Sequence, residues 1–335
     1  VGDIINVEII KLDLDTMDPQ VQQQLMIWGG AFPAGLAIVM LLIFWSIHTR
    51  KAMWSEEEAG DDQPTNPKLG PVWLMPILIG VGFIGAVSAQ FPSFDLWPND
   101  NSYRLPHAMV LVAILGFIGA LFRLSIIPMF VLRVLTFAGV FCVLASGYRG
   151  NDIVFADDWA YFGWMAVAGL IPALLATLHE QSSESTPGWI DSGCWMLVLG
   201  GMMPSLFFNG SATGSTVLPG VLAVLGPAAV VGLICKPLTL QRGAITTLVG
   251  VVLIVTIGST VHSELRSLPA AMLMIGAVAT GLIRFDGKSA MRYILVRAGI
   301  AAVLLAGAAA LSHHQHDLIS NNSADGAYDS YLDYE

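Results

Sequence analysis

The chain has 335 residues, 55% of them hydrophobic and only 12% charged, with a mean hydropathy of +0.69; that is about half the charge of an ordinary soluble domain. Long apolar runs recur from Leu25 to Leu311 and leave no stretch from which a soluble core could be built. The net charge of −10 and the lack of any basic patch exclude nucleic acid as a partner, and the predicted class is an all-α polytopic bundle whose first partner is the lipid bilayer.

In chain order, residues 1–24 form a polar, extracytoplasmic segment. They contain no charged region followed by an apolar stretch, so they do not read as a signal peptide. Ile5, Val7 and Ile9 alternate with Asn6 and Glu8, the period of a half-buried strand. With Val1 in place of an initiator methionine, that pattern fits either a trimmed start or the end of a further outer domain.

Residues 25–311 form the membrane domain. A hydrocarbon layer about 30 Å thick takes about 20 apolar residues per helix, which predicts about ten spans. They fall near 25–47, 71–89, 106–124, 128–147, 159–178, 193–208, 217–235, 244–260, 268–283 and 293–311. Residues 49–70 carry Glu56, Glu57, Glu58, Asp61 and Asp62 before Pro64 and Pro67 and read as a solvated linker. Trp97, Tyr103, Trp159 and Trp164 at one set of ends, and Trp45, Trp54 and Trp73 at the other, fit interfacial belts.

Lysine and arginine in short loops are retained on the cytoplasmic side. An outside N-terminus puts 11 of the 15 basic residues inside or near it and 4 outside. The bias predicts a bacterial inner-membrane protein with both termini extracytoplasmic. The tail 312–335 alternates Asp325, Asp329, Asp333 and Glu335 with Tyr328, Tyr331 and Tyr334, an acidic aromatic string that is disordered or laid against a partner.

No Asp, Glu, His or Lys falls near the middle of a predicted span, which disfavours a carboxylate-coupled symporter, a proton pump or a mid-helix haem. Arg133 and Arg297 lie one to two turns inside a helix end, where a long side chain snorkels to the interface. Cys142, Cys194 and Cys235 fall in or beside apolar runs without CxxC spacing and are expected to be free thiols.

Two patterns carry candidate chemistry. Between Gly200 and Gly220, Pro204, Ser205, Asn209, Ser211 and Thr213 interrupt a short span. They read either as an ordinary turn or as a broken helix lining a substrate pathway. On the outer side, His107, His262 and the run His313, His314 and His316, with Asp317 beside it, have the residue types of a Zn or Cu site at the extracytoplasmic face, if the helix ends meet.

Leu105-Pro106 and Leu218-Pro219, with Gly119 and Gly232 in register, read either as a coincidence, which is cheap in a composition this rich in Leu, Pro and Gly, or as the trace of a parallel internal repeat. Ala298, Ala302, Ala306 and Ala310 recur every four positions, a ladder that lets helices approach closely. Internal packing is its first reading and an interface with another membrane subunit its second. No phosphate loop, HExxH, GxSxG or dinucleotide fingerprint is present, so an enzyme is the least favoured class.

Three functions fit these observations. A permease or channel for a small neutral or weakly polar solute ranks first, on span count, prolines and the Gly/Ser/Thr break. A structural or assembly subunit of a larger membrane complex, joined through the last helix and the tail, ranks second. An outer-face metal or redox site ranks third.

Overall fold

The computed structural model describes residues 23–24, 26–58, 73–90, 98, 104–122, 124–149, 155, 157–183, 186–209, 211–234, 240, 243–262, 267–283 and 290–332. Every element among them is helical. A π-helical turn, Ile27–Ala31, leads into α1 (Phe32–Glu58), followed by α2 (Leu74–Gln90), α3 (Leu105–Leu121) and α4 (Ile126–Ala145). A 3-10 turn, Ser146–Tyr148, precedes α5 (Asp158–Ser183), α6 (Gly188–Phe208), α7 (Ala212–Ile234), α8 (Gly243–His262), α9 (Ser267–Leu282) and α10 (Ala290–Leu332).

These helices fall on the predicted spans in order, and the polytopic all-α bundle is what the chain forms. Seven of them are long and apolar enough to cross a membrane. Leu74–Gln90, Leu105–Leu121 and Leu268–Ala277 are apolar but shorter.

Local chemistry sets several boundaries. Pro106 sits in the first turn of α3, where a missing N–H costs nothing. The Asp157 carboxylate accepts the Ala160 N–H at 2.6 Å and so opens α5. At the far end of α6, Asn209 turns its amide back onto the Ser205 carbonyl at 2.6 Å, closing the helix before the short link to α7. Both α5 and α6 run further than their apolar stretches, to Ser183 and back to Gly188. Tertiary burial, described below, holds those polar turns in helix.

The centre of the bundle is α8. Of its apolar window 89% is buried inside the protein, against 22% for α1 and α10. Helices α2, α3, α4, α5 and α9 surround it, while α6 packs on α7 and α10. Two crossings depend on glycine. A Cβ on Gly243 would overlap the carbonyl oxygen of Gly116, which ties α8 to α3, and Cβ atoms on Gly82 or Gly220 would each strike the other's carbonyl between α2 and α7. Backbones this close gain van der Waals contact where no hydrophobic effect drives association.

Four expectations are settled differently or lie elsewhere. Leu105-Pro106 opens α3, but Leu218-Pro219 lies six residues into α7, so the two pairs are not equivalent and the repeat has no structural counterpart. The alanine ladder does not pack internally: Ala302, Ala306 and Ala310 face outward, and the buried stripe of α10 is Tyr293, Arg297, Ala301, Leu305, Ala308 and Ser312. The tail is helical through Leu332. The candidate strand at residues 5–9 lies outside the described residues.

Candidate functional site

Arg133 and Arg297 do not snorkel. Their relative exposures are 1% and 0%, because both are covered by neighbouring helices and paired inside the bundle. Seven residues into α4 and α10 respectively, each sits about 10 Å along its helix at 1.5 Å per residue.

The Arg133 site is saturated. Nε donates to Thr246 Oγ1 of α8 at 3.0 Å, Nη1 donates to Thr177 Oγ1 of α5 at 2.8 Å, and Nη2 donates to Glu180 of α5. Three helices are thereby fastened at one level, with every guanidinium nitrogen occupied. A buried charge satisfied on all sides serves architecture.

The Arg297 site is different. Nη1 donates to Asp191 Oδ1 at 2.6 Å, with both side chains 0% exposed, and the guanidinium lies over the Tyr293 ring at 4.6 Å. The Tyr293 hydroxyl donates to the Ile283 carbonyl at 2.9 Å and lies 3.2 Å from Thr186 Oγ1. Asp191 stands in the first turn of α6, where the helix dipole favours a carboxylate. One turn further along α6 stand Cys194 and Trp195. The Trp195 indole stacks flat on His179 of α5, with centroids 5.3 Å apart and planes 9° apart, and His179 is close enough to feel the Arg297 charge.

Much of this cluster has no hydrogen-bond partner in the protein. Arg297 Nε and Nη2, Asp191 Oδ2, both His179 nitrogens, Ser192 Oγ and Trp195 Nε1 are buried and unpartnered. Each such group is costly in a low-dielectric interior and calls for an explanation.

A second polar cluster occupies the other end of α6. Ser205, Asn209 and Ser211 are buried, Thr213 is half-buried and Pro204 faces outward. Ser211 and Ser259 hydroxyls meet at 2.6 Å, joining the α6–α7 link to α8, and a Cβ on Gly214 would press on both. Here too Ser205 Oγ, Thr256 Oγ1 and Ser312 Oγ are buried and unpartnered. The Gly/Ser/Thr break is thus a tight link between two continuous helices, with its hydroxyls turned inward.

The five candidate metal-ligating histidines are spread over three helices. His107 is half-buried in the first turn of α3, His262 ends α8, and His313 and His314 are exposed on α10; the side chains of His262 and His316 lie outside the described residues. His313 packs edge-on against Phe208 at 4.9 Å. Among the described residues no group of three His, Cys, Asp or Glu is placed to hold a metal ion. Cys142 and Cys194 are free thiols, and Cys235 lies outside the described residues.

Sequence reasoning missed Asp191, His179 and Glu180 because each falls one or two residues beyond an apolar run and counted as loop. The available signal was spacing. Asp191, Trp195, Val198, Met202, Ser205 and Asn209 repeat at intervals of three and four, one helical face that continues through the polar residues at both ends.

The fold and these buried clusters define an integral membrane helix bundle with ionisable groups inside it. No protein-family model matches the chain, and no curated protein matches its sequence.

Proposed function

We propose that the protein is a multi-pass permease of the inner membrane for a small neutral or weakly polar solute, moving along α6 and α10. The observation that carries this reading is the row of unpartnered buried polar atoms. It begins with Arg297, Asp191, Ser192 and Trp195 at one end of these two helices and resumes with Ser205 and Ser312 at the other. Asp191 and Ser205 are about 21 Å apart along α6 at 1.5 Å per residue, most of the hydrocarbon thickness. Between them the buried face of α6 is Val198, Leu199 and Met202, an apolar seal between two polar vestibules. The positive-inside tendency of the basic residues favours a cytoplasmic Arg297 end.

Purified protein in liposomes tests the reading by stopped-flow swelling in glycerol, urea and erythritol and by uptake of radiolabelled lactate. Flux of at least one solute above protein-free liposomes is expected, reduced several-fold by Met202→Trp, which thickens the seal. Permeability equal to protein-free liposomes for the whole series overturns it.

The outward alanine ladder favours a second reading, a subunit of a larger membrane complex. Ala302, Ala306 and Ala310 present a flat, small-residue stripe to the bilayer, the kind of surface on which another transmembrane helix packs. Isolation from native membranes with a stoichiometric partner supports it, and a monodisperse species that transports alone removes it.

A further inference from the structure

Resting on the permease reading, we infer that the Arg297–Asp191 pair is the binding site for a small carboxylate that enters together with a proton. Only one edge of Arg297 is used. Asp191 engages Nη1 alone, which leaves Nε and Nη2 without a well-formed hydrogen bond, with the Cys194 thiol beside the guanidinium. Those two N–H groups form the parallel fork that a carboxylate or phosphate fills with two hydrogen bonds. Within one turn of Asp191 on α6, Trp195 Nε1 and the Ser192 hydroxyl are further unpartnered donors, and the His179 ring stacked on Trp195 carries one donor and one acceptor. Against them stands one unpartnered carboxylate oxygen, Asp191 Oδ2. Donors are in excess, so the complementary ligand is chiefly an acceptor.

Charge decides the rest. The pair is fully buried, so the site holds one positive and one negative charge and is neutral. Adding a carboxylate alone leaves a net negative charge in a low-dielectric interior, which is expensive. Adding a carboxylate and a proton does not: the proton goes to Asp191 Oδ2, the Asp191 contact with Arg297 weakens, and the ligand becomes the counterion. The site contains one positive and one negative charge before and after. Inorganic phosphate, with a second ionisation near neutrality, carries part of its population as a dianion at pH 7.5 and does not meet that single-charge balance there.

Among the described residues the other charged and titratable groups around Asp191 are few. Arg297 and Tyr293 reach it from α10 and Cys194 lies on α6 itself, while His179 of α5 stands near Arg297. Helices α7 and α9 carry no ionisable residue, and α8 carries only His262 at its opposite end. Glu180 is committed to Arg133. Asp191 is therefore the acidic group free to exchange a proton against ligand binding.

The test is equilibrium binding of radiolabelled lactate to the full-length protein in detergent at pH 5.5 and 7.5, with proton uptake followed in weakly buffered solution. Wild type is expected to take up one proton per lactate, with affinity falling by up to about tenfold per pH unit, the slope for one linked proton. D191N is expected to bind lactate at both pH values without proton uptake. The neutral double variant D191N/R297Q removes the charges together, so that neither is left unpaired, and is expected to stay monodisperse and bind at least 50-fold more weakly. At pH 7.5 acetate should compete, and inorganic phosphate should compete much less.

No lactate binding by monodisperse wild type at either pH overturns the inference. So does binding by the double variant equal to wild type, or phosphate competing as well as acetate. Proton-linked binding without flux in liposomes supports the site and removes the permease reading. Glycerol or urea flux without lactate binding removes this inference and leaves the permease.

Discussion

Two arginines of the same depth and the same burial do different work because of how their nitrogens are spent. Arg133 has all three engaged by Thr246, Thr177 and Glu180, so R133Q should cost about 3 kcal/mol, leaving Glu180 under-compensated. Thermal unfolding in detergent, compared with an R133Q/E180Q double variant that recovers most of the loss, measures this. At the other site D191A should cost about 3–5 kcal/mol, since it strands the Arg297 charge, and D191N/R297Q should cost much less. If D191A is no less stable than the double variant, the buried pair is not a pair in the membrane. The arginines were visible in the sequence, but their partners were not. An apolar-run criterion places Asp191 and Glu180 in loops, because it sums hydropathy along one segment, whereas their burial is granted by other helices. The polar residues at the other end of α6 were legible for the opposite reason: Ser205, Asn209 and Ser211 interrupt an apolar run, and an interruption is a local signal.

At the scale of the helix, the distinction that matters is between elements that face lipid and those that face protein. Hydropathy sees both as apolar, so nothing in its sequence marks α8 as the hub; only packing does. Backbone amides of Val249–Ile254 in α8 should be the slowest to exchange with deuterium in detergent. Amides of Val39–Ile43 in α1, on an outward-facing helix, should exchange at least tenfold faster. Equal rates would mean that the bundle opens as one unit. The glycine crossings make a sharper claim. G220V drives two methyls toward the Gly82 carbonyl and should destabilise by about 1–3 kcal/mol through displacement of α2. At Gly139, where a Cβ meets nothing within 4 Å, alanine should be tolerated. Span positions were readable to within a few residues because length and apolarity are imposed by the bilayer itself. The direction in which α10 turns its alanines was not, since the ladder and the Arg297 stripe have the same spacing and only the partners of Arg297 decide between them.

For the whole molecule, the outward ladder gives a test of association. A306L adds bulk to a face that is exposed on α10, so it should leave unfolding unchanged. If the face binds a neighbouring helix, the same variant should weaken that assembly by tenfold or more, read by mass photometry of the native complex. The buried pairs also set an order of events during synthesis. Arg133 precedes Glu180 by 47 residues and Thr246 by 113; at cellular elongation rates it waits on the order of ten seconds for its last partner. An arginine at the centre of a lone helix costs about 3 kcal/mol on insertion, so α4 must first sit shallow, with its guanidinium among the headgroups, and sink only when α5 and α8 arrive. Asp191 lies 106 residues ahead of Arg297, so α6 enters carrying an acid without a counterion. The last helix brings the missing cation, and its docking is the step at which a nascent chain becomes one whose charges are all accounted for.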